Sequence, residues 1–576
     1  MEKKDIFSSW ILRICDGVTG FFFFLVSAAL FFMSAFSTCF IDKYEVSYFL
    51  PDSPWLKLLE CAFLLAALIF LCVKFRPSVA FIGRINSDAA LFTKLKRRLL
   101  LAIWFLVSLW VVCTQVPANA DQRFTMMAAR SIAQGDFSNT GPYSYLYIYN
   151  NQIGWTMVIY LLDKLFGPLN YAAYQLLMAG LTVLILNELT CFGALLGMSR
   201  AKQLAVIVLG AAFVPLALYS SFIYGTIPGL WLSLAAIRLE IQYFRDGRLR
   251  HGILSALCIA LAVMVKMNYL IFMAAMLIYA LLEAFGKKGI KKLMIVLFMA
   301  VFYVVQARVP VAALENISGK PVPQGCATLS WVAMGLQDGE RPGWYNQYNE
   351  NTFAESSYDV HEQIKWVKSD IKYRIGELLS DLDYARNFFV RKTASQWNEP
   401  TFQSVWVSIN HYQDAYRHGV MSVDNSWPQG ILSPMGNHKV TLYMNHLSFL
   451  MLVGCLLYSL LCSAQGENHY RLILAMVVVG GFLFHLVWEV KGQYALPYYV
   501  LLLPYTVMGY SKAAECLAAL PAALRNGGIH IEKKTLIGNA ALLLLALAIL
   551  CYVFHGTLPG ITGDTEAYYA YLASHS

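Results

Sequence analysis

The chain has 576 residues, 58% of them hydrophobic and only 14% charged, and its mean hydropathy of +0.53 is not that of a soluble protein. Forty-four Lys and Arg against thirty-five Asp and Glu leave a net charge of +9, too dilute along the chain for a nucleic-acid surface and better matched to basic loops on one membrane face. Collagen, a disordered tail and a secreted disulfide scaffold are excluded. Most cysteines lie in apolar runs (Cys61, Cys72, Cys258, Cys455, Cys551), the one large polar segment holds only Cys326, and no CxxC pair occurs, so no cysteine-based zinc or redox site is expected.

A membrane helix needs about 20 apolar residues. Residues 18–40 supply the first such run, and its length and lack of a small-residue cleavage site predict a retained helix, not a signal peptide. Further runs follow at 55–73, 99–116, 170–198, 203–221, 223–242, 252–266, 269–283, 293–306, 443–464, 472–490, 494–510 and 537–554, thirteen in all. The expected fold is an all-α polytopic membrane protein. Lys74, Arg76, Arg84, Lys94, Lys96, Arg97 and Arg98 stand against a lone Asp88 between the second and third runs, which places that segment in the cytoplasm. The clusters Arg200 with Lys202, Arg245 to Arg250, Lys287 to Lys292, and Lys512, Arg525, Lys533 and Lys534 fall on the same side. The N-terminus is then cytoplasmic, and the tail after Gly556, with no Lys or Arg, is extracytoplasmic. Residues 152–166 are apolar enough to cross, but crossing would put Arg200 and every later cluster on the wrong face, so they are read as a short interfacial or re-entrant helix.

Four regions follow: two N-terminal helices with a basic cytoplasmic loop (1–98), a transmembrane core with an external loop at 117–152 (99–307), an extracytoplasmic domain or lid (308–442), and C-terminal helices with an external tail (443–576). The third region has turn-rich patches at 335–351 and 422–437. Between them Ile364, Val367, Ile371, Ile375 and Leu378 recur at helical spacing.

Chemistry concentrates at the ends of the apolar runs. Asp121 follows the third run and opens an amphipathic stretch in which Phe124, Met127, Ala128, Ser131 and Ile132 share a helical face. Asp121 reads either as a helix cap or as a carboxylate held at the membrane edge, with Arg123 and Arg130 nearby to bind an anion. Tyr143, Tyr145, Tyr147 and Tyr149 alternate. They read as an interfacial aromatic belt, or as a strand of rings that stack on sugars while Asn150, Asn151 and Gln152 bond hydroxyls. Lys266 and Asn268 divide the 252–283 region near its outer end, where snorkelling is the plain explanation. His485 and Glu489 share a helix face and precede Lys491, Gln493 and Tyr494; the plain explanation there is a charged turn.

The acidic residue beyond a membrane helix, the surface helix ending in Gly135-Asp136, and Tyr149-Asn150-Asn151-Gln152 before an apolar helix ending Leu165-Phe166-Gly167 resemble the first external loop of GT-C glycosyltransferases. That superfamily includes protein mannosyltransferases and aminoarabinose transferases. The resemblance runs over roughly residues 99–510, through Lys266-Met267-Asn268, Trp331 to Leu336, Trp397-Asn398-Glu399-Pro400 and Trp488 to Tyr494, the last similar to elements of uncharacterised Gram-positive members. It implies a sugar moved from a polyprenyl-phosphate donor to an extracytoplasmic glycan, lipid or wall polymer. Asp121 then takes the place of the catalytic base, Lys266, Lys491 and Arg123 hold the donor phosphate, and Tyr145, Tyr147, Tyr149, Asn150, Asn151, Gln152, Asn268, His485, Glu489, Gln493 and Tyr494 line the sugar and acceptor sites. Two departures stand out. Gln122 replaces an acidic residue found in several relatives, which weakens the case for a divalent metal, and no cofactor is expected. Gln493 replaces a phosphate-binding Arg, and Lys491, a point charge without the forked geometry of Arg, replaces it only in part. A transporter or flippase of lipid-linked saccharide and a polysaccharide polymerase or ligase are the alternatives. The former calls for matching broken helices in repeated halves, and no such symmetry is visible.

Overall fold

A computed structural model describes residues 3–114, 116, 118, 120–285, 290–408, 430–462, 470–525 and 533–575. Lys287, Lys288, Pro117, Asn119 and residues 422–429 of the turn-rich patch expected at 422–437 lie outside the described residues. The architecture is helical almost throughout, and the only sheet among the described residues is one two-stranded hairpin.

Among the described residues seven helices are long and apolar enough to cross a membrane, and counting each of two bent pairs as one span brings the number to at most nine. The bend of 68° lies between α9 (Arg200–Ala212) and α10 (Val214–Leu218), within the run expected at 203–221. Pro215 sits in the first turn of α10 and has no N–H with which to continue the preceding helix. Two expected spans have different limits. The one at 293–306 belongs to α14 (Met294–Ser318), which carries Arg308 and Pro310 inside the helix, and the one at 443–464 belongs to a helix that begins at Pro434 (Pro434–Leu461). The polar region between them therefore starts after Ser318.

The centre of the bundle is α11 (Thr226–Asp246), packed on α8 (Tyr171–Leu195) and α12 (Leu249–Val265). Close approach depends on small residues. A Cβ on Gly225 would lie 2.0 Å from the Val265 carbonyl oxygen, and one on Gly229 would lie 2.1 Å from the Tyr269 ring. These two contacts fix where Lys266 emerges. Likewise Gly509 of the helix Leu496–Arg525 approaches Gly454 of Pro434–Leu461 so closely that a Cβ would stand 1.9 Å from the Gly454 carbonyl oxygen.

Over one end of the bundle lies a polar cap. It holds α5 (Ala120–Ala133), α7 (Ile153–Phe166), α15 (Ser330–Gly335), α16 (Tyr348–Glu355), α17 (Val360–Ser380) and α18 (Leu382–Trp397). Asp359 and Asp381 cap α17 and α18 through their carboxylates. At about 21 Å, the 14 residues of α7 are too short to span, and α7 packs along α5. The hairpin β1 (Ser37–Ile41) and β2 (Ser47–Pro51) joins the cap from the N-terminal side. The C-terminal tail is folded onto it: in the helix Thr565–His575, Tyr568 packs 4.7 Å from Phe40, and Asp564 accepts a bond of 2.8 Å from the Phe49 N–H.

Candidate functional site

α5 sets the first side chain. Its buried positions are Gln122, Thr125, Met126, Ala128, Ala129 and Ile132, whereas Phe124 and Met127 are about half exposed. The apolar face expected from spacing is thus rotated. Gln122 is fully buried because its Oε1 accepts a bond of 3.0 Å from the Ile223 N–H, and a satisfied amide tolerates burial where an unpaired one does not. This rotation aims the neighbouring Asp121 into an open recess. Asp121 lies in the first turn of α5, so the acidic end meets the favourable pole of the helix dipole. Its Oδ1 accepts from the Tyr145 hydroxyl at 3.1 Å. Asp121 is exposed to solvent. Desolvation by the surrounding walls raises its pKa, and the ammonium groups of Lys491 and Lys266 oppose that rise.

The second wall comes from the break after α12. Lys266 has extended backbone (φ −161°), and its Nζ donates to Thr226 Oγ1 at 2.8 Å while lying 5.0 Å from the Tyr224 ring and 5.2 Å from the Tyr494 ring. Two aromatic faces partly replace the water lost by the cation. Gln152 donates to the Tyr224 hydroxyl at 2.6 Å. Below lies a narrow crevice of about 10 Å³, lined by Thr226, Lys266, Asn268, Gln493, Tyr494 and Tyr498, among others. Asn268 Nδ2 and Gln493 Oε1 are buried with no hydrogen-bond partner. The crevice has room for about one water or a single hydroxyl group, which this unsatisfied donor and acceptor can pair.

The third wall is the turn after the helix Arg471–Val487. The helix ends two residues before Glu489, short of the run expected to reach 490, so Glu489 stands outside the apolar helix. Val490 N–H donates to the Gly343 carbonyl at 2.8 Å, making an isolated parallel bridge with Trp344. Beside it Lys392, 1% exposed, donates to the carbonyls of Gly335 and, at 2.9 Å, Trp488. Gly335 is required here, because a Cβ would lie 2.4 Å from the Trp488 backbone. Glu489 is 3% exposed and accepts from the Tyr494 hydroxyl at 3.2 Å. Burial pushes its pKa up to about 7, against Lys491 and with the help of the like charge of Asp121. Lys491 Nζ lies 5.6 Å from the Trp344 ring and 5.5 Å from the Tyr345 ring and donates to Glu45 Oε1 at 2.8 Å.

Of the expected site residues, the fold gathers Asp121, Tyr145, Tyr149, Gln152, Lys266, Asn268, Glu489, Lys491, Gln493 and Tyr494 around this recess. His485 lies beneath it, 2% exposed, its ring stacked on Tyr494 at 5.6 Å and neither nitrogen bonded. Others are placed elsewhere. The tyrosine row is no strand: Tyr145–Ile148 form one helical turn, which puts Tyr145 and Tyr149 side by side at 5.2 Å and sends Tyr147 toward Phe353 and Tyr358. Helical rather than extended backbone follows from the Ser144 and Tyr145 carbonyls accepting from the N–H groups four residues on. Asn150 is used structurally, donating to the carbonyls of Gln324 and Pro323, and Asn151 is exposed. Arg123 approaches Tyr171 and is not among the cations that act on Asp121.

Sequence reading missed Glu45, Lys392 and Glu350, the last accepting from both Tyr149 and Tyr345. None has a local pattern. The only signal was that Lys392 lies just ahead of the quoted Trp397 to Pro400 motif. In that motif Glu399, 1% exposed, accepts from the N–H groups of Thr401 and Gln403 at 3.0 and 2.7 Å and so holds the loop beneath Gly492. An aromatic rim completes the recess, with Trp331 and Trp488 parallel at 6.3 Å. Among the described residues no group of three or more His, Cys, Asp and Glu is placed to hold a metal ion. No family model matches the chain, and no curated protein matches it.

Proposed function

We propose that the protein is an integral-membrane glycosyltransferase of the GT-C type, moving a sugar from a polyprenyl-phosphate donor to an extracytoplasmic glycan, lipid or wall polymer. The thirteen-span topology, with the N-terminus cytoplasmic and the recess outside, belongs to this proposal. The observation that carries it is a reachable carboxylate, Asp121, facing two lysines from distant segments, Lys266 and Lys491, beside a crevice with an unpaired amide donor and acceptor.

In the proposed step the acceptor hydroxyl oxygen attacks the anomeric carbon, its proton passes to Asp121, and the bond from that carbon to the lipid phosphate oxygen breaks. The phosphate leaves with the bonding electron pair and needs no proton. It needs cationic partners for its added charge, which Lys266 and Lys491 supply. A pKa raised by desolvation makes Asp121 a stronger base than an ordinary carboxylate. The unpaired Asn268 and Gln493 amides suit a single sugar hydroxyl, and the polyprenyl chain stays in lipid beside the helices.

Asp121→Asn is the test. With purified protein in nanodiscs, a panel of labelled polyprenyl-phosphate hexoses and extracted wall polymer, transfer falls by about 10²–10⁴-fold while binding of undecaprenyl phosphate persists. Full transfer by the variant removes Asp121 from the mechanism.

A further inference from the structure

The hairpin tip at residues 42–46 reaches into the recess from a part of the chain that the GT-C resemblance does not include. Glu45 sits there in left-handed backbone (φ 61°), a conformation that costs a residue with a Cβ about 1 kcal/mol or more and persists only where neighbours impose it. They do. Asp42 Oδ1 accepts from the N–H groups of Tyr44 and Val46 at 2.8 and 2.9 Å, the Glu45 N–H donates to the Asp42 carbonyl at 3.1 Å, Arg341 donates to the Glu45 carbonyl, and Trp406 donates to the Lys43 carbonyl at 3.3 Å. The tip is clamped by the loop after α18 and by Arg341, so the Glu45 side chain is aimed and not adventitious.

Its carboxylate meets Lys491 Nζ at 2.8 Å and Gln403 Nε2 at 3.0 Å, both on Oε1, and Oε2 has no partner among the described residues. The pair is neither sealed nor fully open: the Lys491 and Glu45 side chains are 15% and 23% exposed. On its other sides Lys491 faces the rings of Trp344 and Tyr345, which attract a cation but accept no conventional hydrogen bond. The Glu45 oxygen thus takes the place on Lys491 that an incoming anion needs.

We propose that Glu45 is a resident counter-anion of the site, holding the Lys491 ammonium at the recess wall until the phosphate of a lipid-linked donor displaces it. This rests on the glycosyltransferase reading above. A bonded lysine is kept in one rotamer at the wall, and its charge is compensated without the ion being buried. A phosphate oxygen replaces the carboxylate oxygen with the same geometry and at least the same charge. The price of the exchange is the Glu45–Lys491 interaction, so donor affinity is set partly by the hairpin. Glu45 is by this account a specificity-setting residue, not a catalytic one.

The test uses the full chain in nanodiscs of zwitterionic lipid, with undecaprenyl phosphate as probe and native mass spectrometry or tryptophan quenching as readout. A partly exposed pair contributes up to about 1 kcal/mol, about fivefold. Glu45→Gln therefore binds the probe about three- to fivefold more tightly, Lys491→Gln binds it more weakly, and the double variant matches Lys491→Gln alone, because Glu45 acts only through Lys491. If the wild type binds and Lys491→Gln weakens binding, but Glu45→Gln is neutral or weaker, the counter-anion assignment is overturned and the glycosyltransferase reading stands. If neither wild type nor variants bind the probe, both fall. Inorganic phosphate forms the second arm: equal tightening with it makes Lys491 a site for free phosphate and overturns the lipid assignment. Melting temperatures are recorded alongside, and since Gln retains the shape of Glu, Glu45→Asp, which keeps the charge on a shorter arm, serves as a folded control expected to show less tightening than Glu45→Gln.

Discussion

The hairpin and its flanks carry two lysine–carboxylate contacts built in opposite ways. At the base, Lys57 is completely buried and donates to the Ser34 carbonyl at 2.5 Å and to Asp52 at 2.6 Å, while Asp52 also accepts from Thr38 at 2.9 Å, from Asn445 and from the Ser53 N–H at 2.7 Å. At the tip, Lys491 has one carboxylate oxygen and two ring faces, and Glu45 keeps an oxygen free of partners among the described residues. The first pair is saturated, so nothing can enter it without leaving a charge bare. The second is half satisfied, so an incoming anion loses little by replacing one member. Saturation separates a structural ion pair from an exchangeable one more sharply than distance does, since both pairs lie within 2.8 Å.

The largest test of this contrast is stability. Lys57→Met leaves Asp52 without its cation in a mostly buried site and costs about 3 kcal/mol, read as a drop in the denaturant midpoint in detergent. Equal tolerance of Lys57→Met and Lys491→Gln would erase the distinction. Next is the pH dependence of Glu489, whose pKa is pushed from an ordinary 4.5 to about 7. The native state then holds a proton that the unfolded chain releases, so its contribution to stability is full below pH 4.5 and declines as pH rises to about 7. Melting temperatures of wild type decline more steeply over this window than those of Glu489→Gln, in which Glu399, also raised to about 7, still contributes; parallel curves for the two sink the assignment. Smaller is Lys491→Gln, which changes unfolding free energy by less than about 1 kcal/mol although it weakens donor binding. Smallest is a pair of opposed shifts in the acid limb of the transfer rate. Lys491 lowers and Glu45 raises the Asp121 pKa, so Lys491→Gln moves the limb to higher pH and Glu45→Gln to lower pH; shifts in the same direction contradict the geometry.

The composition and the apolar runs determined that this chain is a helical membrane protein, because partition into lipid sums over about 20 consecutive residues and needs no partner. They also located the polar residues at the ends of those runs, Asp121, Lys266, Glu489 and Lys491 among them. What they could not reach was the company these residues keep. Gln122 is buried because the Ile223 N–H meets it, Tyr147 leaves the recess because residues 145–148 close a helical turn, and Lys392 and Glu45 enter it across gaps of 96 and 446 residues, with no periodicity to announce them. Those placements depend on close contacts such as Gly225 on Val265 and Gly335 on Trp488. A contact of that kind belongs to two segments at once, so only the tertiary structure decides it.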